Sequence, residues 1–131
     1  MIEFRVEVGT GVPPYRQLVH QVEHALRLGH LRVGDRLPTV KDVAKTLVIN
    51  PNTVLKAYRE LEHKGLVKGR PGLGTFVERG LGGLPVLKQA ELRAGLEKWL
   101  AEAYEAGMDA DGVAALVATV LHEFRTDEFG V

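Results

Sequence analysis

Asn50, Asn52, Thr53, Lys56 and Arg59 crowd two amides, a hydroxyl and two cations into ten residues of chain. This mixture suits the major groove of a DNA duplex. Asn can bond adenine bidentately, Thr can meet a base edge or a phosphate, and Lys and Arg can take guanine or phosphate oxygens. The same stretch carries Val54, Ala57, Tyr58 and Leu61 at helical spacing, so the polar set and the apolar set fall on opposite faces of one helix. Asn50 supplies a cap and Pro51 a first-turn residue, while Gly65 ends the helix before an apolar run begins at Leu66. A helix that offers such groups near its N-terminal end reads as a recognition helix.

The flanking residues must hold that helix in place. Asp35-Arg36-Leu37-Pro38-Thr39 reads as a turn ending in a cap, and Val40, Val43, Ala44 and Leu47 give a short helix. Only Val48 and Ile49 separate this helix from Asn50, a tight helix-turn-helix joint. Leu66–Arg70 and Gly74–Glu78 predict two short strands joined by Pro71-Gly72-Leu73, with Arg70 and Gly72 at the tip of a wing. Upstream, Ile2–Val8 alternates apolar and charged residues and predicts a half-buried strand beside the wing. Pro13-Pro14 then opens a bracing helix with Leu18, Val19, Val22, Ala25, Leu26 and, at its end, Leu28 on the buried side. Tyr15 and Gln17 near its start are expected to approach the DNA backbone.

These residues resemble the GntR family of bacterial transcription regulators. The motifs that carry the resemblance are Pro14-Tyr15-Arg16-Gln17-Leu18, Gly34–Val40, Asn52–Leu61 and Gly72–Val77, in order and without a gap over residues 10 to 79. The Ile49–Val54 run and the short C-terminal tail are similar to its small YtrA-like subfamily. The resemblance implies DNA contacts from the start of the second helix, the recognition helix and the wing tip, which here hold Lys41, Asn50, Asn52, Thr53, Lys56, Arg70 and Gly72. Arg59 joins them from its place on the open helix face. Pro51 and Leu55 stand where many relatives carry Arg.

Composition narrows the alternatives. The 131 residues contain neither Cys nor Ser, which removes disulfides, thiolate metal sites and the commonest nucleophiles. No apolar run approaches a membrane span, and Met1-Ile2-Glu3-Phe4-Arg5 lacks a leader's basic and apolar regions, so a cytoplasmic protein is expected. Residues 1–80 carry 13 Lys or Arg against 8 Asp or Glu, whereas residues 81–131 carry 4 against 9. The basic front is the half suited to a polyanion. Gly72-Leu73-Gly74 is a wing turn and no phosphate loop, because no helix follows it. His20 and His24 lie one helical turn apart without a third ligand at a recognisable spacing.

Arg79–Val86, with three glycines and a proline, reads as a linker at 79–86 between a DNA-binding domain at 1–78 and a tail at 87–131. In the tail, Leu92, Leu96, Trp99, Leu100 and Ala103 share one helical face, and Val113, Leu116, Val117, Val120, Leu121 and Phe124 share another. Gly107 with Asp109 or Asp111 separates the two helices. So small a pair buries too little to stand alone, and the simplest partner is the same tail of a second copy. The expected fold is mainly α with a small β-wing: an N-terminal winged helix-turn-helix plus a C-terminal two-helix dimerisation tail. The expected function is that of a homodimeric, sequence-specific transcription regulator, a repressor on an inverted-repeat operator. No enzymatic activity and no cofactor are expected; the expected partners are double-stranded DNA and a second copy, with an unidentified small-molecule effector left open. The other reading is a dimeric winged-helix scaffold that binds protein. An enzyme built like the family members fused to an aminotransferase-like domain is not expected at this length.

Overall fold

The computed structural model describes residues 2–129, and of positions 86 and 127–129 the backbone alone. Residues 130 and 131, where the expected tail ends, lie outside the described part. Five helices and one two-stranded antiparallel sheet follow in the order α1 (Pro14–Arg27), α2 (Val40–Leu47), α3 (Pro51–His63), β1 (Val67–Arg70), β2 (Gly74–Val77), α4 (Val86–Glu105) and α5 (Ala110–Phe129). The chain divides into two compact units, residues 1–84 and 85–131.

In the first unit α3 packs on both α1 and α2, and its buried stripe is the expected Val54, Ala57, Tyr58 and Leu61. These meet Leu18, Val19, Val22, Ala25 and Leu26 of α1 and Val43 and Ala44 of α2 in one core. Leu28, expected on that face, is half exposed, because it follows the last helical residue and only caps α1. Tyr58 is buried, and its hydroxyl donates a 2.6 Å hydrogen bond to the Pro38 carbonyl, tying α3 to the turn before α2. Burial also pushes its pKa above the ordinary tyrosine range.

The helix ends follow their sequence signals. Thr39 Oγ1 accepts from the Asp42 N–H at 3.1 Å and caps α2, and Asn50 Oδ1 accepts from the Asn52 N–H at 2.9 Å and caps α3. Gly65 takes φ 76° after α3, with its N–H on the Glu62 carbonyl and the Leu66 N–H on the Leu61 carbonyl. The joint between α2 and α3 is less comfortable. Val48 adopts φ 54°, ψ 52°, a left-handed conformation disfavoured for a β-branched residue, and its side chain is 88% exposed.

Two expectations about the periphery change. Ile2–Val8 forms no strand beside the wing, although the alternation holds in burial as far as Glu7. Ile2, Phe4 and Val6 pack on the core while Glu3, Arg5 and Glu7 face solvent, and Val8, expected on the buried side, is 98% exposed. Its backbone partners are side chains of α1. The Gln21 amide accepts from the Arg5 N–H and donates to the Arg5 carbonyl, at 3.0 and 2.6 Å. The Gln17 amide does the same for Glu7, at 2.8 and 2.9 Å. Residues two apart on an extended chain and four apart on a helix advance by about 6–7 Å each, so two glutamines on one helical face imitate a strand edge. The Gln17 amide is therefore engaged with the N-terminal segment, where it also donates to the Val12 carbonyl at 2.9 Å.

The place beside the wing goes instead to residues 34–37, which overlap the turn expected at Asp35–Thr39. The Leu37 N–H donates to the Thr75 carbonyl, the Val77 N–H to the Asp35 carbonyl, and the Gly34 N–H to the Val77 carbonyl. The Gly-rich stretch after β2 is likewise anchored at its start. Arg79 donates from Nη2 to the Lys64 carbonyl at 3.0 Å, and Leu81 packs against the core. A Cβ at Gly82 would lie 2.5 Å from the Arg27 carbonyl oxygen, so only glycine allows this close pass.

The second unit is α4, a turn and α5. Gly107, at φ 101°, breaks the helix, and Asp109 Oδ1 accepts from the Gly112 N–H at 2.8 Å to start the next. Ala103 and Val113 are buried on either side of this turn. Among the described residues α4 and α5 do not pack along their lengths.

Candidate nucleic-acid interface

The open face of α3 is built by its buried one. With Val54, Ala57, Tyr58 and Leu61 turned inward, helical geometry turns Asn52, Lys56 and Arg59 outward at spacings of four and three, and all three are exposed. Thr53 is half-buried beside them. Asn50 is exposed, but its carbonyl oxygen is engaged as the cap of α3, so only its NH2 group remains to meet a base or phosphate. Lys56 is held: its Nζ lies 4.0 Å from the centre of the Tyr15 ring. Tyr15 thus reaches the recognition helix itself, as a platform for a cation.

Lys41 stands exposed in the first turn of α2. A shallow, mostly apolar groove lies between that helix and Pro51, rimmed by Lys41 and Lys45. Arg70 ends β1 with its guanidinium carbon 5.4 Å from the centre of the Phe76 ring. The tip that follows is a turn with Pro71 and Gly72 at its centre, closed by the Leu73 N–H on the Arg70 carbonyl at 2.9 Å. Gly72, at φ 75°, takes the position that demands positive φ when Pro precedes it.

Charge pairing is uneven over this unit. Arg16 pairs with Glu60 at 3.6 Å, and Lys64 with Glu23 at 3.4 Å and Glu60 at 3.9 Å, joining α1 to α3 and its C-terminal cap. Among the described residues, Lys41, Lys56, Arg59 and Arg70 have no carboxylate within ion-pair distance. Acids are thus spent bracing the core while the forward cations stay uncompensated, an arrangement that attracts a polyanion.

The structure places Lys41, Asn50, Asn52, Thr53, Lys56, Arg59, Arg70 and Gly72 in one compact unit. Sequence reasoning missed Arg36 and Lys68. Both flank Phe76 in the wing sheet, Lys68 by strand register and Arg36 through an isolated antiparallel bridge. The parity of Lys68 with Arg70 was readable. The bridge at Arg36 was not, because it depends on residues 34–37 lying beside β2.

Of the tail residues, Leu92, Leu96, Leu116, Val117, Val120, Leu121 and Phe124 are exposed, and Trp99 and Leu100 are half-buried. Val113, expected to meet a second copy, is already 8% exposed within one chain, because the turn at Gly107 folds that end of α5 toward α4. No described helix is long and apolar enough to cross a membrane.

Comparison with known proteins agrees with this geometry. The model of bacterial regulatory proteins of the gntR family matches residues 14–77, the span from α1 to the end of the wing. The transcriptional repressor YtrA of Bacillus subtilis is 31% identical over 106 residues, covering 80% of this chain and 82% of that protein. Among solved structures, a transcriptional antiterminator of Listeria monocytogenes superposes with TM-score 0.59 at 27% identity, over 91% of this chain and 90% of its own. YtrA from Sulfolobus acidocaldarius, a GntR-family transcription factor, gives TM-score 0.53 at 26% identity, over 73% of this chain and 95% of its own. The family is one of transcription regulators and not of enzymes. With its capped recognition helix, its wing and a repressor relative matched over four-fifths of both chains, this protein belongs to the GntR family and is a YtrA-like, DNA-binding transcription regulator.

Proposed function

We propose that two copies of this chain, joined through their tails, bind an inverted-repeat operator and repress transcription in the cytoplasm, without enzymatic activity. The row of large apolar side chains left uncovered on α4 and α5 carries this reading, from Leu92 and Leu96 to Leu121 and Phe124 at 54% and 63% exposure. Apolar surface of this extent on a 47-residue unit calls for a protein partner. A second copy supplies one with matching spacing, and a two-fold pair presents two recognition helices to a two-fold site. In this reading Lys41 and Lys56 hold phosphates, and Asn50, Asn52, Thr53 and Arg59 meet base edges or adjacent phosphates. Arg70 and Gly72 bring the wing to the minor groove. The boundaries that suit it are a DNA-binding domain at 1–78, a linker at 79–86 and a dimerisation domain at 87–131. The repressor sense rests on the name of the Bacillus relative.

Sedimentation combined with footprinting on DNA from beside its own gene tests this. The expected result is a dimer protecting a two-fold symmetric site. A monomer at working concentration, or a single unsymmetric footprint, overturns it. Absence of any gel shift at low salt would favour the scaffold that binds protein.

A further inference from the structure

The outward face of the wing sheet is more basic than its tip. Strand register sets Lys68 opposite Phe76 and Arg70 opposite Gly74, and an antiparallel bridge sets Arg36 on the other side of Phe76. Side chains alternate across a sheet, so Arg36, Phe76 and Lys68 form one cross-strand row on one face, with Arg70 and Gly74 in the next. The opposite face carries Leu37, Val67 and Val77, all buried in the core. Three cations thus surround one half-buried aromatic ring on the face turned to solvent, and all three are exposed.

Two of these cations are steered. The Arg70 guanidinium sits over the Phe76 ring, and Arg36 lies across the backbone at Gly74, where a Cβ would come 2.8 Å from Arg36 Nε. The glycine leaves room for that guanidinium. The neighbouring acids are engaged elsewhere: Asp35 accepts from the Arg32 N–H at 2.9 Å, and Glu62 from the Gly69 N–H at 3.5 Å. Glu78, just past β2, is the one acid that follows in the same alternation. Among the described residues none of Arg36, Lys68 and Arg70 has a carboxylate within ion-pair distance.

We infer that this face, centred on Arg36, Lys68 and Arg70, is a second phosphate-binding surface that grips the DNA backbone beyond the stretch read by α3. The inference rests on DNA binding through the winged helix. A duplex is the occupant that fits. It presents closely spaced charges of one sign along a smooth edge, guanidinium and ammonium groups match its oxygens, and the sheet face is shaped as a surface and not as a pocket. Arg70 belongs to both the tip and this face, so the two contacts are continuous. Such a contact carries no base specificity; it adds affinity and lengthens the footprint.

The test is the salt dependence of binding to a labelled 40-base-pair duplex of mixed sequence between 50 and 200 mM KCl, using the full chain. Each phosphate contact contributes roughly 0.9 to the slope of log affinity against log salt. Counted per protomer bound to the duplex, Arg36→Gln with Lys68→Gln is expected to lower the slope by nearly 2, shrinking the gain between 200 and 50 mM salt by roughly tenfold for each protomer. Arg36→Lys with Lys68→Arg keeps the slope. Lys68→Gln alone lowers it by about 1, and serves if the change at Arg36 disturbs the bridge. If Lys56→Gln lowers the slope and the wing pair does not, this face is overturned while DNA binding by α3 stands. Should neither change it, DNA binding through the winged helix itself fails, and this inference with it. A wing pair that alters self-association in sedimentation at unchanged slope assigns the face to a second copy and also overturns it.

Discussion

The winged-helix unit and the tail both carry apolar side chains at helical spacing, more sharply segregated to one face in the first, yet the first is closed and the second open. Leu18, Val54 and Leu61 have no exposure at all, whereas Leu116, Val117, Val120, Leu121 and Phe124 range from 40% to 63%. The difference lies in who supplies the other wall. In the first unit α1, α2, α3 and the sheet each bring an apolar face to one core. Among the described residues of the tail, α4 and α5 meet around their turn, which buries Ala103 and Val113 and leaves Trp99 and Leu100 half-buried, while the rest of each stripe stays exposed within one chain. Helical periodicity marks the face to be buried and is silent on whether the cover is in the same molecule.

This contrast can be broken or sharpened by substitution. Leu121→Glu with Phe124→Glu should abolish dimerisation and weaken operator binding by about 10²–10⁴-fold, since two linked half-sites no longer bind together. The melting of the first unit should stay unchanged. Sedimentation, gel shift and circular dichroism on one preparation check all three, and a dimer surviving both charges would mean another surface joins the copies. Leu61→Ala should do the opposite, costing the first unit about 2–5 kcal/mol through lost burial and a cavity, measured by urea unfolding. A cost near that of an exposed leucine would contradict the closed core.

Smaller effects refine the first unit. Asn52→Ala is expected to cost about 1–3 kcal/mol on the operator and far less on random DNA, while Lys56→Ala weakens both alike and flattens the salt dependence. Equal losses for Asn52→Ala on the two DNAs would remove it from the base-reading set. Val48→Gly should stabilise the helix-turn-helix by about 1 kcal/mol, because its left-handed backbone costs a β-branched residue and its exposed side chain gains little. Calorimetry showing no rise in Tm would place that conformation within reach of valine at no penalty.

Tyr58→Phe should cost about 1 kcal/mol by leaving the Pro38 carbonyl without its donor. It should also change the alkaline limb of stability. Burial raises the Tyr58 pKa in the folded protein, so the folded state favours the neutral hydroxyl. That contribution is complete below the unfolded value of about 10 and is lost as pH rises above it. The Phe variant should lack this part of the decline in a pH series of urea midpoints.

Much of the site was legible because it depends on neighbours in the chain. Asn50 and Pro51 start α3, Val54 to Leu61 orient it, and so Asn52, Lys56 and Arg59 face outward by helical geometry alone. Gly65 and the Pro71-Gly72 turn follow from the backbone angles that glycine and proline allow. Placements that needed distant partners were not legible. Alternation in Ile2–Val8 indicated its buried side but not its partners, since glutamine amides from α1 stand where a strand would be. Local sequence marks Asp35–Thr39 as a turn and Gly82 as linker, whereas residues 34–37 pair with β2 and Gly82 passes against the Arg27 carbonyl, contacts between residues far apart in the chain.

By itself, then, the sequence determined the helices, their caps, the wing turn and the polar stripe of α3, because these follow from interactions spanning a few residues. Tertiary structure alone decided that Tyr15 holds Lys56, that Arg36 joins the wing, and that Leu92, Leu96, Leu116 and Leu121 stay uncovered within one chain. Such pairings join residues far apart in the chain, and no local preference records which distant surface will meet them.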